Sequence, residues 1–140
     1  NCGLALAIIL KLREHGFDLP EQQVIAGLEH TPRDGRLEEV NAQPQVYIDG
    51  APTPASVRET LNGIAQQVTC DSLAVVFGCA SDKRIDEMLE ELQFHADKAI
   101  FTRTSNNSRA MDPGTLASRY TELTKKSCES YTDPTEAIRA

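Results

Sequence analysis

Two patterns of apolar residues run along this chain. The first recurs every three to four positions, the period of a helix with one face turned inward. Leu4 to Glu14 follows it and stops before Gly16, which reads as a helix end in a left-handed turn. Asp18-Leu19-Pro20-Glu21 reads as the next helix start, with Asp18 as the cap, Pro20 in the first turn and Glu21 as the acid of a capping box. That helix would carry Val24, Ile25 and Leu28 on one face. Further on, Pro54 to Val68 places Val57, Leu61, Ile64 and Val68 on one stripe, and Asp82 to Ala96 does so with Ile85, Met88, Leu89 and Leu92. Asp112-Pro113 opens a helix running to about Lys125, and Asp133-Pro134-Thr135-Glu136 repeats the same starting device. The second pattern consists of short apolar and β-branched runs. Arg36 to Val40, Gln45 to Ile48, Leu73 to Phe77, Lys98 to Thr102, and a short stretch near Cys128 to Tyr131 read as strands. The run Leu73-Ala74-Val75-Val76-Phe77 has no polar interruption, as expected of a strand covered on both faces.

Beyond a break at His30-Thr31-Pro32-Arg33-Asp34-Gly35, strands alternate with helices. This order predicts an α/β fold: a Rossmann-like, mostly parallel sheet flanked by helices, preceded by a helical segment. The division expected is residues 1–31 for the helical segment and 32–140 for the α/β domain. Right-handed crossovers would bring three strand-end loops to one edge of the sheet, Asp49 to Pro54, Gly78 to Lys83, and Thr102 to Arg109. Open sheets of this kind bind ligands along that edge.

Composition narrows the function. The net charge of −7 argues against a sequence-independent grip on nucleic acid. No apolar run approaches the length of a membrane span, and nothing resembles a signal peptide. Cys2, Cys70, Cys79 and Cys128 form no CxxC pair, and His15, His30 and His95 complete no zinc spacing. The cysteines read as small buried hydrophobes in a reducing, cytoplasmic setting. Asn1 runs straight into a helical pattern and Ala140 ends a helix barely begun, so the expectation is a piece of a longer polypeptide.

The chemistry offered is a set of charged residues at the predicted loops. Asp49, at a strand end before Gly50, can accept hydrogen bonds from a ribose diol or can simply turn the chain. Arg36 can reach into an interdomain cleft or stand as an exposed hinge residue. Lys83 can meet a substrate carboxylate or remain solvated; Arg103 and Arg109 can bind anions or lie on the surface. Ser81 or Asp82 reads as the cap of the helix that follows. There is no GxxxxGK[ST] loop, so nothing in the chain cradles a triphosphate by itself.

Taken together, Gly35-Arg36-Leu37-Glu38, Asp49-Gly50-Ala51-x-Thr53-Pro54, and Phe77-Gly78 leading to Asp82-Lys83 resemble the C-terminal domain of the Mur ligase superfamily. Asp-Gly-Ala before a proline-containing helix start is similar to the folylpolyglutamate synthase and dihydrofolate synthase branch. Asn1-x-x-x-Ala5 resembles the helix that ends that family's central ATPase domain. The resemblance implies an ATP- and Mg2+-dependent ligase that activates a folate or dihydropteroate carboxylate as an acyl phosphate and joins L-glutamate to it. It implies a central ATPase domain in the same polypeptide, which would hold most of the ATP and the metal. It would place Asn1 near the adenine, Arg36 near the phosphates, Asp49 near the ribose and Lys83 on the amino-acid side. One position departs from the family. A histidine usually follows Asp-Gly-Ala, and here that position is Pro52, which has no side-chain donor. Two alternatives therefore stand beside the ligase: a Rossmann-like binding module that has lost the chemistry, and a Mur-type peptidoglycan ligase domain. The latter branch usually has an aromatic residue where Gly50 sits.

Overall fold

The computed structural model describes residues 2–140, so Asn1 and its expected place near an adenine lie outside the described residues. The chain divides into two compact units, Asn1–Asp34 and Gly35–Ala140.

The first unit holds two helices, α1 (Cys2–Glu14) and α2 (Glu21–Glu29). Gly16 has φ +87°, and the amides of Gly16 and Phe17 bond back to the carbonyls of Arg13 and Leu12 at 3.0 and 3.1 Å. This is the helix end that a glycine permits. Asp18 does not cap α2. Pro20 stands at the cap position with ψ 140°, outside helical geometry, so α2 begins only at Glu21 and has no side-chain cap. No residue of either helix is buried. Leu4 is 65% exposed and Leu10 57%, so the apolar pattern of α1 meets solvent rather than a core.

The second unit begins with β1 (Glu38–Ala42) and β2 (Gln45–Ile48). They pair antiparallel around the two-residue turn Gln43–Pro44, and the register slips by one between Glu39 and Asn41. Here the structure corrects the reading of Gln45 to Ile48 as a strand of the parallel sheet. Parallel neighbours need a crossover of a dozen or more residues, and two residues can close only a hairpin. The parallel sheet has the order β3 (Ala74–Phe77), β4 (Lys98–Phe101), β5 (Glu129–Ser130). Helices α3 (Pro54–Gln67), α4 (Ile85–Gln93), α5 (Pro113–Thr124) and α6 (Pro134–Arg139) fill the chain between and after these strands. This is an α/β fold of the Rossmann-like type.

Local chemistry explains the helix starts. Thr53 caps α3 in a reciprocal box with Ser56, and Pro54 occupies the first helical position. Asp112 caps α5 by accepting from the Thr115 amide at 2.9 Å. Asp133 caps α6 through the Thr135 amide at 2.8 Å. The α4 stripe Ile85, Met88, Leu89 and Leu92 is wholly buried. It packs with Val57 and Leu61 of α3, Ala99 and Phe101 of β4, and Leu116 and Tyr120 of α5 in one core. Of the cysteines, Cys2 and Cys70 are exposed and Cys79 and Cys128 half-buried, all as free thiols, so the expectation of buried cysteines fails. Cys70 falls in the loop between α3 and β3, where nothing covers it.

Arg58 of α3 grips Glu91 of α4 with two hydrogen bonds, from Nε at 2.9 Å and from Nη2. The Arg58 hydrogen bonds hold the Glu91 carboxyl below its ordinary range. A carboxylate with a lowered folded value stabilises the fold above its unfolded value of about 4.3 and loses that contribution as pH falls through the folded value. Glu91→Gln is therefore expected to lower Tm at pH 7, with the gap from the wild type closing below about pH 4. Melting curves from pH 7 down to pH 3 would check this. A gap that stays constant would contradict it.

Candidate functional site

Two groups of loop residues carry the candidate chemistry. The first is a knot at the start of the second unit. Gly35 and Leu37 both have left-handed backbones, φ +60° and +47°. The Gly35 amide donates to Glu38 Oε2 at 2.7 Å, and the Leu37 amide donates to Asp49 Oδ2 at 2.8 Å. The Gly35 carbonyl accepts from the Gly50 amide at 2.9 Å and from Arg36 Nη1 at 3.1 Å. Arg36 Nη1 lies 2.9 Å from the point where a Cβ on Gly50 would stand. The turn Asp49-Gly50 and the segment Gly35 to Glu38 are thus one construction, with the Arg36 guanidinium lying over Gly50. Asp49 is half-buried, and among the described residues its Oδ1 has no hydrogen-bond partner. Its carboxylate both holds the turn and leaves one oxygen to offer.

The second group lies at the C-terminal ends of β3 and β4. The Ser81 amide bonds to the Arg109 carbonyl at 2.8 Å, the Met111 amide bonds to the Cys79 carbonyl at 2.9 Å, and Ala80 bridges Ala110. These main-chain links close the loop after β3 onto the loop after β4. Ser81 and Asp82 lie too far before the helix for either to cap α4. The helix starts at Ile85 after Arg84, without a side-chain cap. Lys83 is exposed in a turn, its amide bonded to the Ala80 carbonyl at 3.2 Å. Arg109 Nη1 stands 3.7 Å from Asp82 Oδ2, and Arg119 of α5 pairs with Asp86 at 3.2 Å. Burial pushes the Cys79 thiol up, against an opposing pull from Arg119. The thiol is therefore neutral near pH 7 and no nucleophile.

The structure brings Arg36 and Asp49 together. Among the described residues no hydrogen bond or ion pair joins either of them to Lys83, which belongs to the second group. Of the three loops expected to converge, only those after β3 and β4 are tied through the sheet. The Asp49 loop follows a hairpin strand, and Ala51 packs against the core beside it. Sequence reasoning gave Glu38 no role, although an acid two residues after Arg36 was visible. It also missed Thr102, whose hydroxyl is buried at the end of β4 with no partner among the described residues. Two clefts lie elsewhere. One groove of about 470 Å³ is lined by α1 residues such as Ile8 and Leu12, with Phe17. Another of about 270 Å³ sits at the opposite end of α3, near Val68, Cys70 and His95. Among the described residues, no group of three or more His, Cys, Asp or Glu is placed to hold a metal ion. Among the described residues, no helix is long and apolar enough to cross a membrane.

Comparison with known proteins gives the family. The family model described as Mur ligase, glutamate ligase domain, matches residues 35–140. The chain belongs to this family. The matched segment of this Mur ligase domain begins at Gly35, the first residue of the knot. The chain is 31% identical over 119 residues to a dihydrofolate synthase/folylpolyglutamate synthase of Mycobacterium tuberculosis, covering 84% of this chain and 24% of that protein. It is 27% identical over 130 residues to a probable bifunctional folylpolyglutamate synthase/dihydropteroate synthase of Haloferax volcanii, covering 93% of this chain and 15% of the other. Among solved structures, Mycobacterium tuberculosis folylpolyglutamate synthase complexed with ADP and AMPPCP superposes with a TM-score of 0.81 at 27% identity, over 89% of this chain and 28% of that one. The bifunctional folylpolyglutamate synthase/dihydrofolate synthase with Mn, AMPPNP and L-glutamate bound gives 0.76 at 27%, over 91% and 30%. The chain thus spans about a quarter or less of these curated relatives.

Proposed function

We propose that this Mur ligase domain is the C-terminal part of an ATP-dependent amide ligase that joins L-glutamate to the carboxylate of a folate or dihydropteroate. The observation carrying the reading is the Arg36 guanidinium held over Gly50 beside the half-buried Asp49. A fixed cation next to a carboxylate with a free oxygen suits a nucleoside triphosphate, whose phosphates need positive charge and whose ribose offers two hydroxyl donors. Arg36 would contact the phosphates and Asp49 Oδ1 the ribose. Lys83 would lie on the amino-acid side and attract the carboxylates of the incoming glutamate. In such a ligase ATP would supply the phosphoryl group that turns the folate carboxylate into an acyl phosphate, with release of ADP, and the glutamate amine would displace phosphate from it. The residues here bind and orient, and none abstracts a proton. The acids of the described residues do not assemble a Mg2+ site, so the metal and the triphosphate cradle are assigned to a central ATPase domain of the same polypeptide. The helical unit, expected as residues 1–31, would be the end of that domain. A reaction drawing on ATP and folates fits a cytoplasmic location.

Pro52 favours a second reading, a binding module on the same fold. The side chain that usually follows Asp-Gly-Ala in this family is absent, and proline offers no substitute donor. Both readings meet in one experiment on the full-length protein. ADP release that depends on both a folate and glutamate is expected from the wild type. Pro52→His is expected to raise it about tenfold or more, since one positioned acid–base side chain contributes at least that much. A folded Pro52→His protein with unchanged or lower turnover would count against a missing catalytic histidine. A wild type without glutamate-dependent ADP release would leave the binding module.

A further inference from the structure

We infer that Glu38 and Gly50 are positioning residues for the Arg36 guanidinium. The Arg36 backbone is gripped on both sides. Glu38 Oε2 takes the amide of Gly35 at 2.7 Å and Asp49 Oδ2 takes the amide of Leu37 at 2.8 Å. These bonds hold two left-handed residues, one on each side of Arg36, Gly35 at φ +60° and Leu37 at φ +47°. A leucine resists that conformation, so the acceptors must keep it in place. From this backbone the exposed side chain reaches across the Asp49-Gly50 turn, its Nη1 bonded to the Gly35 carbonyl at 3.1 Å. Gly50 leaves that path open. A Cβ there would stand 2.9 Å from Arg36 Nη1, while its next neighbour, the Gly35 carbonyl oxygen, would be at 3.6 Å, an ordinary contact. The only atom that must give way is the tip of a flexible side chain. Gly50→Ala therefore evicts the guanidinium without disturbing the fold.

The clamp stands on geometry alone; its consequence for turnover rests on the ligase reading. Selective 15N-arginine labelling of the full-length protein, with Arg36→Lys to assign the signal, reads the order of Arg36 Nε directly. The wild type and Glu38→Gln, whose amide oxygen still accepts from Gly35, are expected to show an ordered Nε. Glu38→Ala and Gly50→Ala are expected to show a mobile one, with Gly50→Ala melting at the wild-type temperature. In the ligase assay the two mobilising variants are expected to lose about ten- to a hundredfold in kcat with little change in KM for glutamate, the cost of a misplaced contact. Glu38→Gln is expected to stay near wild type. An Nε equally ordered in all four proteins would overturn the inference, and so would an equally mobile one. Mobility that changes as expected without any change in turnover would support the clamp and count against Arg36 as a phosphate contact.

Discussion

Gly78→Ala is expected to destabilise the second unit by about 3 kcal/mol, at the upper end of what overpacking costs. A Cβ on Gly78 would stand 2.5 Å from the carbonyl oxygen of Thr102 and 3.3 Å from its carbon. Unlike the contact at Gly50, this one is with main chain that cannot swing aside. Thr102 is held by its own amide, which bonds to the Phe77 carbonyl at 2.9 Å. Relief would require β3 and β4 to separate where they carry their loops. The expected shift in Tm is roughly 10 °C or more for a unit of this size. A thermal melt of the variant beside the wild type is sufficient, and a Tm within about 2 °C would show that the strand ends yield more easily than the geometry implies.

Phe101→Ala should cost about 3–5 kcal/mol, the range for deleting a fully buried aromatic. Phe101 has no exposed surface and lies on β4, the central strand of the parallel sheet. Its ring meets Phe77 edge-on at 6.3 Å and Tyr120 at a tilt at 5.3 Å. Removing it opens a void between β3 and α5 that neither rigid ring can fill. Urea denaturation checks this through the midpoint at unchanged slope. Phe101→Leu, which retains most of the volume, should recover more than half of the loss. An alanine variant with a wild-type midpoint would mean that the core collapses around the gap.

The features legible in the sequence are those set by near neighbours along the chain. The buried stripe of α4 follows from the spacing of Ile85, Met88, Leu89 and Leu92. The caps at Asp112 and Asp133 follow from an acid before a proline, since both devices act within four residues. The hairpin was legible too, had the short gap between its strands been weighed; periodicity alone reports a strand, not its direction. What stayed hidden depends on contacts distant in sequence. Ser81 and Asp82 read as caps, but the chain first turns back to the Arg109 loop and α4 begins only at Ile85. Cys2 and Cys70 read as core until their surroundings prove open. Asp49 and Arg36 were both visible as charges, but the hydrogen bonds that bind them into one knot reach across 12 positions. Glu38 acquires meaning only from that knot.

The closure of the two strand-end loops bears on how this domain can change over generations. Ser81 to Arg109 and Met111 to Cys79 are joined through main chain, which every amino acid supplies. Of the six polar residues from Arg103 to Ser108, Asn107 bonds this base through its side chain, its Oδ1 accepting from the Arg109 amide at 3.0 Å, and the other five hang from a base that does not depend on their identity. Mutation can redraw that loop, or lengthen it, while the strands and α5 remain seated. A library confined to those five positions would be expected to fold almost in its entirety. Selection could then act on what the sheet edge recognises without first having to repair the scaffold.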